Sequence, residues 1–113
     1  MGNRIKSIKT AMNGIVMAFK QEKNLKLFTF IGMPIFLVIN ILNKSTLLEY
    51  ILFIILSSLV ISGELMNTAI EKIVDKFVIQ KNEDAKFIKD VSAGAVFILA
   101  SIFVIIETII FVF

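Results

Sequence analysis

Three uncharged or nearly uncharged apolar stretches govern what this chain can fold into: Leu27 to Asn43, Tyr50 to Gly63, and Val91 to Phe113, the last interrupted only by Glu107. In hydrocarbon each backbone N–H and C=O must find its partner inside the protein, and a helix achieves this within one segment. About 20 apolar residues are needed to cross a bilayer core. The first run reaches that length only with help from its flanks. With 58% hydrophobic residues and a mean hydropathy of +0.91, the chain exceeds the apolar share of soluble domains. The expectation is an all-α membrane protein with transmembrane helices at 27–43, 47–70 and 91–113. Three spans and their connections fill 1–113, so a single unit is expected.

Ahead of the first run, Ile5, Ile8, Met12, Ile15, Val16 and Phe19 recur at helical spacing, while Lys6, Lys9, Asn13 and Lys20 lie largely elsewhere on the wheel. This predicts an amphipathic surface helix over 1–25, lying in the membrane interface because little soluble domain remains for it to pack on. Gly14 and Gly32 are each a local weakness or a close-packing point, and Pro34 is a candidate kink. In Asn43 to Glu49 (NKSTLLE), Ser45 or Thr46 is the N-cap of a helix running from about Leu47 to about Phe77. The alternating charges of 76–90 predict a solvated connection with a helical end.

Arg4, Lys6, Lys9, Lys20, Lys23 and Lys26 precede the first span, Lys44 alone lies in the short turn, and Lys72, Lys76, Lys81, Lys86 and Lys89 surround the second connection. By the positive-inside rule the amino terminus and the second connection are cytoplasmic. The net charge of +3 is thus concentrated where it suits an anionic membrane surface better than nucleic acid. No cleavable signal peptide is expected, since the first apolar run comes late and lacks a small-residue cleavage site. Cysteine and histidine are absent, which excludes disulfides, thiolate metal sites and histidine chemistry. Any metal needs oxygen ligands, favouring magnesium, manganese or calcium.

The candidate site is Glu64 to Asp75, ELMNTAIEKIVD. At about 100° per residue, Glu64, Asn67, Thr68, Glu71 and Asp75 share one helix face, directly after an apolar run. Acids in that place are costly to bury in lipid and are functional candidates by default. Carboxylates one or two turns apart can divide the labour, one near the lipid acting as a base and one nearer water binding a divalent cation. The ordinary alternative is a solvated helix end whose acids pair with Lys72 and Lys76. Glu22, in KQEK, reads by itself as half of an i,i+4 pair with Lys26. Lys89-Asp90 reads as an interfacial anchor, and Ser92 to Ala95 as a close-packing surface between helices. Glu107 could snorkel outward, pair with Lys44 or make an assembly contact. No GxxxxGK[ST] loop, dinucleotide turn or GxSxG elbow is present, so a phosphoryl-transfer site here lies outside the common nucleotide folds.

Together, E-L-x-N-T-A-I-E-x-x-V-D (Glu64 to Asp75), K-D-V-S-A-G-A-V (Lys89 to Val96) and E-K-N-L (Glu22 to Leu25) resemble the bacterial diacylglycerol kinase/undecaprenol kinase family over nearly the whole chain. The resemblance implies a magnesium- and ATP-dependent lipid kinase of the inner (cytoplasmic) membrane. It further implies three transmembrane helices plus a surface helix, assembled as a homotrimer with active sites shared between subunits. Position by position, it implies Glu64 as the catalytic base with Asn67 beside it. Glu22 and Glu71 match the carboxylates that hold magnesium against ATP, and Lys89 and Asp90 the pair that contacts the nucleotide. Asp75 belongs to the signature without a role of its own. The chain departs from the enterobacterial pattern in lacking Trp and His, in having no arginine around Gly14, and in carrying Lys81-Asn82 where an aromatic–histidine pair could assist adenine binding. The E-K-N-L and A-G-A-V forms look more like undecaprenol kinases than diacylglycerol kinases. The competing class is a non-catalytic membrane assembly or ion-pathway protein whose acidic stripe lines a pore or meets a partner's lysines.

Overall fold

The computed structural model describes residues 2–78, 80 and 82–113, so Lys81, noted above for adenine, lies outside the described residues. The described residues form helices α1 (Gly2–Gln21), α2 (Lys23–Leu42), α3 (Leu47–Phe77) and α4 (Glu83–Val112), with no strand among them. The last three are long and apolar enough to cross a membrane.

A single extended residue separates α1 from α2. Glu22 (φ −97, ψ 114) closes α1 by donating its N–H to the Ala18 carbonyl at 2.8 Å, and its own carbonyl accepts from Lys26 N–H at 3.3 Å. The first helix therefore ends four residues before the expected 25, and the first span begins at Lys23 rather than 27. α1 buries none of its residues.

Pro34 acts on α2 upstream of itself. A π-helical turn runs over Phe28–Gly32, where Met33 N–H reaches back five residues to the Phe28 carbonyl. Widened turns of this kind absorb irregularities that would otherwise break a helix.

α2 closes in a Schellman arrangement: Ser45 N–H donates to the Asn40 carbonyl at 3.0 Å and Lys44 N–H to Ile41 at 3.2 Å. Lys44 takes the left-handed position (φ 51) that glycine usually fills. α3 then opens on a full capping box. Thr46 Oγ1 accepts from Glu49 N–H at 3.3 Å, and Glu49 Oε1 accepts from Thr46 N–H at 2.8 Å.

Most of the expected 76–90 connection is helix. Phe77 still belongs to α3 and Glu83 already to α4. Asn82 caps α4 by accepting from Ala85 N–H at 2.7 Å, with Glu83 and Asp84 in the first turn complementing the helix dipole. Alternating charges here mark a water-facing helix rather than a loop.

Phe103 sits at the centre of the packing. It meets Phe28, Phe36 and Phe53 at ring-centroid distances of 5.2, 5.1 and 5.9 Å, so one α4 side chain joins α2 and α3. α3 and α4 pack tightly at Gly63, where a Cβ would lie 2.6 Å from Leu99 Cδ1. The expected close-packing stretch Ser92 to Ala95 does not serve within this chain: Gly94 has nothing within 4 Å, and Ala93 and Ala95 are exposed.

Glu107 neither snorkels nor meets Lys44. It is 2% exposed and accepts a hydrogen bond from Asn40 Nδ2 at 2.8 Å, across from α4 to α2. Asn40 also donates to the Phe36 carbonyl and accepts from Ser45 Oγ at 2.7 Å.

Candidate active site

Because α3 continues about four turns beyond its apolar run, the Glu64 to Asp75 stripe extends past the apolar part of the helix. Glu64 and Asn67 are both buried, at 8% exposure, Glu71 is half-buried and Asp75 is exposed. Along the stripe, burial thus falls steadily toward the Phe77 end.

The break at Glu22 supplies the other wall. Leu25, one turn into α2, is completely buried and fixes that end of the helix in the packing. This brings Glu22 near enough to Glu64 for its charge to act there, as does that of Glu71. Glu64 thus feels two other carboxylates, one on α3 and one at the α1–α2 junction, and Glu22 makes no ion pair with Lys26 among the described residues. Asn67 Nδ2 donates to Glu71 Oε1 at 3.1 Å, which orients that carboxylate, while Asn67 Oδ1 is buried without a partner. The amide stands between the two acids and has one acceptor to spare.

Nearer the connection, α3 and α4 enclose a cleft of about 790 Å³ lined by Asp75, Asn82, Glu83, Lys86, Lys89 and Asp90. Lys89 Nζ donates to Asp75 Oδ1 at 2.7 Å and also feels the charge of Glu71, so it links the cleft to the carboxylate group. Asp90 turns to Lys86, at 2.6 Å one helical turn before it. Of the six candidate residues, Lys89 and Asp90 line the cleft, Asn67 and Glu71 are joined by a hydrogen bond, and Glu22 and Glu71 act on Glu64 through their charge. The alternative partners Lys72 and Lys76 make no ion pair with the stripe among the described residues.

One member and one pairing escaped sequence reasoning. Lys86 has a local signal, the i,i+4 spacing to Asp90. The pairing of Asp75 with Lys89 has none, the two being fourteen positions apart on different helices.

The donor set suits a hard cation, since every available ligand is oxygen. No group of three or more acidic, His or Cys side chains able to hold a metal occurs among the described residues. Two carboxylates fit magnesium, which keeps waters and shares its coordination with substrate phosphates.

Residues 9–111 match the prokaryotic diacylglycerol kinase family. A diacylglycerol kinase of Synechocystis sp. (strain ATCC 27184 / PCC 6803 / Kazusa) is 35% identical over 99 residues, which are 87% of this chain and 56% of the relative. The chain thus spans a little over half the length of that curated relative. No solved structure matches it.

Proposed function

Because the chain belongs to the prokaryotic diacylglycerol kinase family, we propose that it transfers the γ-phosphate of ATP to the hydroxyl of a membrane lipid. The observation that carries this reading is that the charges of Glu22 and Glu71 both reach Glu64, on a helix that also lines a cleft holding Lys89 and Asp90. Phosphoryl transfer asks mainly for positioning and charge neutralisation, which a few carboxylates and one lysine can provide.

Glu64, the more buried acid, takes the proton of the lipid hydroxyl as its oxygen bonds to the γ-phosphorus and the bond to the β-phosphate oxygen breaks, releasing ADP. Glu22 and Glu71 would hold magnesium, with Asn67 fixing the direction of the Glu71 carboxylate. Magnesium, when bound, neutralises phosphate charge. Lys89 and Asp90 contact the nucleotide, and Lys89 adds positive charge where the transition state gathers negative charge. An apolar groove of about 520 Å³ between α1 and α3, lined in part by Gly14, Ile15, Ala18, Leu65 and Ala69, supports lateral approach of a lipid tail.

The site faces the cytoplasm in this reading, supported by the lysine and arginine distribution, and α1 rests in the interface of the inner membrane. The chain assembles as a homotrimer with shared sites, and the open small-residue face at Ala93 and Ala95 supports such contacts. Diacylglycerol is the first acceptor on the strength of the relative's name. Undecaprenol, favoured by the E-K-N-L and A-G-A-V forms, is the second.

Labelled ATP offered with both lipids in the same micelles decides between them, and diacylglycerol should be phosphorylated faster. Absence of magnesium-dependent ATP consumption with either lipid would return the chain to the non-catalytic class.

A further inference from the structure

Asp75 is the acid of the stripe to which neither the resemblance nor the mechanism gives a task. Its carboxylate reaches from α3 to α4 and accepts from Lys89 Nζ at 2.7 Å at the rim of the cleft. The side chains are 62% and 39% exposed. An ion pair so open to water contributes little to stability. Its effect is geometrical, because a lysine ammonium rides on a flexible four-carbon stem and a partner on another helix restricts where it can point.

The charges that act on Lys89 are those of Asp75, Glu71 and Asp90. Asp90 is already engaged by Lys86. A Lys89 released by Asp75 would therefore swing toward Glu71, the carboxylate assigned to the metal, and neutralise it.

We propose that Asp75 is a positioning residue that holds the Lys89 ammonium over the cleft, directed at the nucleotide phosphates and kept off Glu71. An ammonium has three donors, so Lys89 can retain Asp75 while donating to a phosphate oxygen. This inference rests on the kinase reading.

The test uses the full chain in lipid micelles, comparing wild type with Asp75→Asn and Asp75→Glu. Asp75→Asn should raise the KM for magnesium-ATP about tenfold, the loss expected of one charge-assisted hydrogen bond. The KM for the lipid and the thermal midpoint should stay at their wild-type values, and Asp75→Glu should recover most of the ATP affinity. As a readout separate from turnover, acetylation of Lys89 by an amine-reactive reagent, followed by mass spectrometry, should be faster in Asp75→Asn and slowed by magnesium-ATP in wild type.

An Asp75→Asn protein with wild-type ATP KM and wild-type labelling, prepared beside an active wild type, overturns the positioning role and leaves the kinase reading intact. Parallel rises in both KM values with a lowered thermal midpoint make Asp75 merely structural and overturn it as well. A wild type with no lipid-dependent turnover, in which magnesium-ATP does not protect Lys89, removes both.

Discussion

The Asn40–Glu107 contact makes a sharp test of how this chain holds its spans together. Both side chains are almost fully buried, at 1% and 2% exposure, and sit 67 residues apart in sequence. Glu107→Leu leaves one amide hydrogen of Asn40 without an acceptor, since its other hydrogen keeps the Phe36 carbonyl, and should cost about 1–2 kcal/mol. Asn40→Leu strips partners from both Glu107 Oε2 and Ser45 Oγ, so it should cost more, about 2–3 kcal/mol. Replacing both removes the orphaned groups together, and the double variant should cost about 1–2 kcal/mol less than the sum of the singles. Glu107→Gln keeps shape and an acceptor and should stay within about 0.5 kcal/mol of wild type. Unfolding by SDS titration of purified protein, followed by circular dichroism and protease resistance, measures all four. Strict additivity of the two leucine variants would refute the contact as an interhelical tie. A Glu107→Gln loss as large as that of Glu107→Leu would refute the view that an acceptor is all that is required.

Three further outcomes are expected. At Gly63 the obstacle to a Cβ is the mobile end of Leu99 at 2.6 Å, so Gly63→Ala should be near neutral, the helix-propensity gain of about 1 kcal/mol offsetting the crowding. Gly63→Val should lose about 1–3 kcal/mol, partly recovered by Leu99→Ala, in the same SDS titration. Lys44→Gly should raise the thermal midpoint, because the left-handed conformation at φ 51 costs a non-glycine residue about 1 kcal/mol. Glu64→Gln should lose turnover while keeping magnesium-ATP binding, whereas Glu71→Gln should weaken that binding too, as steady-state kinetics and equilibrium binding of an ATP analogue would show.

What the sequence made legible was local. The bounds of α3, Leu47–Phe77, follow from an N-cap at Ser45 or Thr46 and a long apolar run followed by a periodic stripe, each of them a local pattern. The connection reads as solvated with a helical end, but how early α4 begins is not legible in it, because alternating charges fit a solvated helix as well as a loop and the cap on Asn82 carries the difference. Contacts between distant positions left no trace in spacing: Asp75 with Lys89, Asn40 with Glu107 and Gly63 with Leu99 each require the antiparallel packing of three helices first. Glu22 is the instructive case. By composition it is an ordinary helix-end acid, and only the resemblance gave it a metal-binding role. What the fold adds is that one extended residue ends α1 and leaves Glu22 close enough for its charge to act on Glu64.

The length of α3 bears on the division of roles proposed for the acidic stripe. At 1.5 Å per residue, α3 with its 31 residues is about 46 Å long, against a hydrocarbon core of about 30 Å. Measured from Leu47, Glu64 lies about 26 Å along the axis and Glu71 about 36 Å. In the proposed reading, with Leu47 at the edge of the hydrocarbon, the same rod would carry one carboxylate inside the apolar layer, toward the lipid substrate, and another outside it, where a hydrated cation and a nucleotide can reach. Shortening α3 by one turn ahead of Glu64 would bring Glu71 toward the boundary and draw Glu64 deeper. Two of the acids would then lose their separate solvents while the signature stayed unchanged. The distance of the stripe from the short turn is thus as much a part of the site as the side chains themselves.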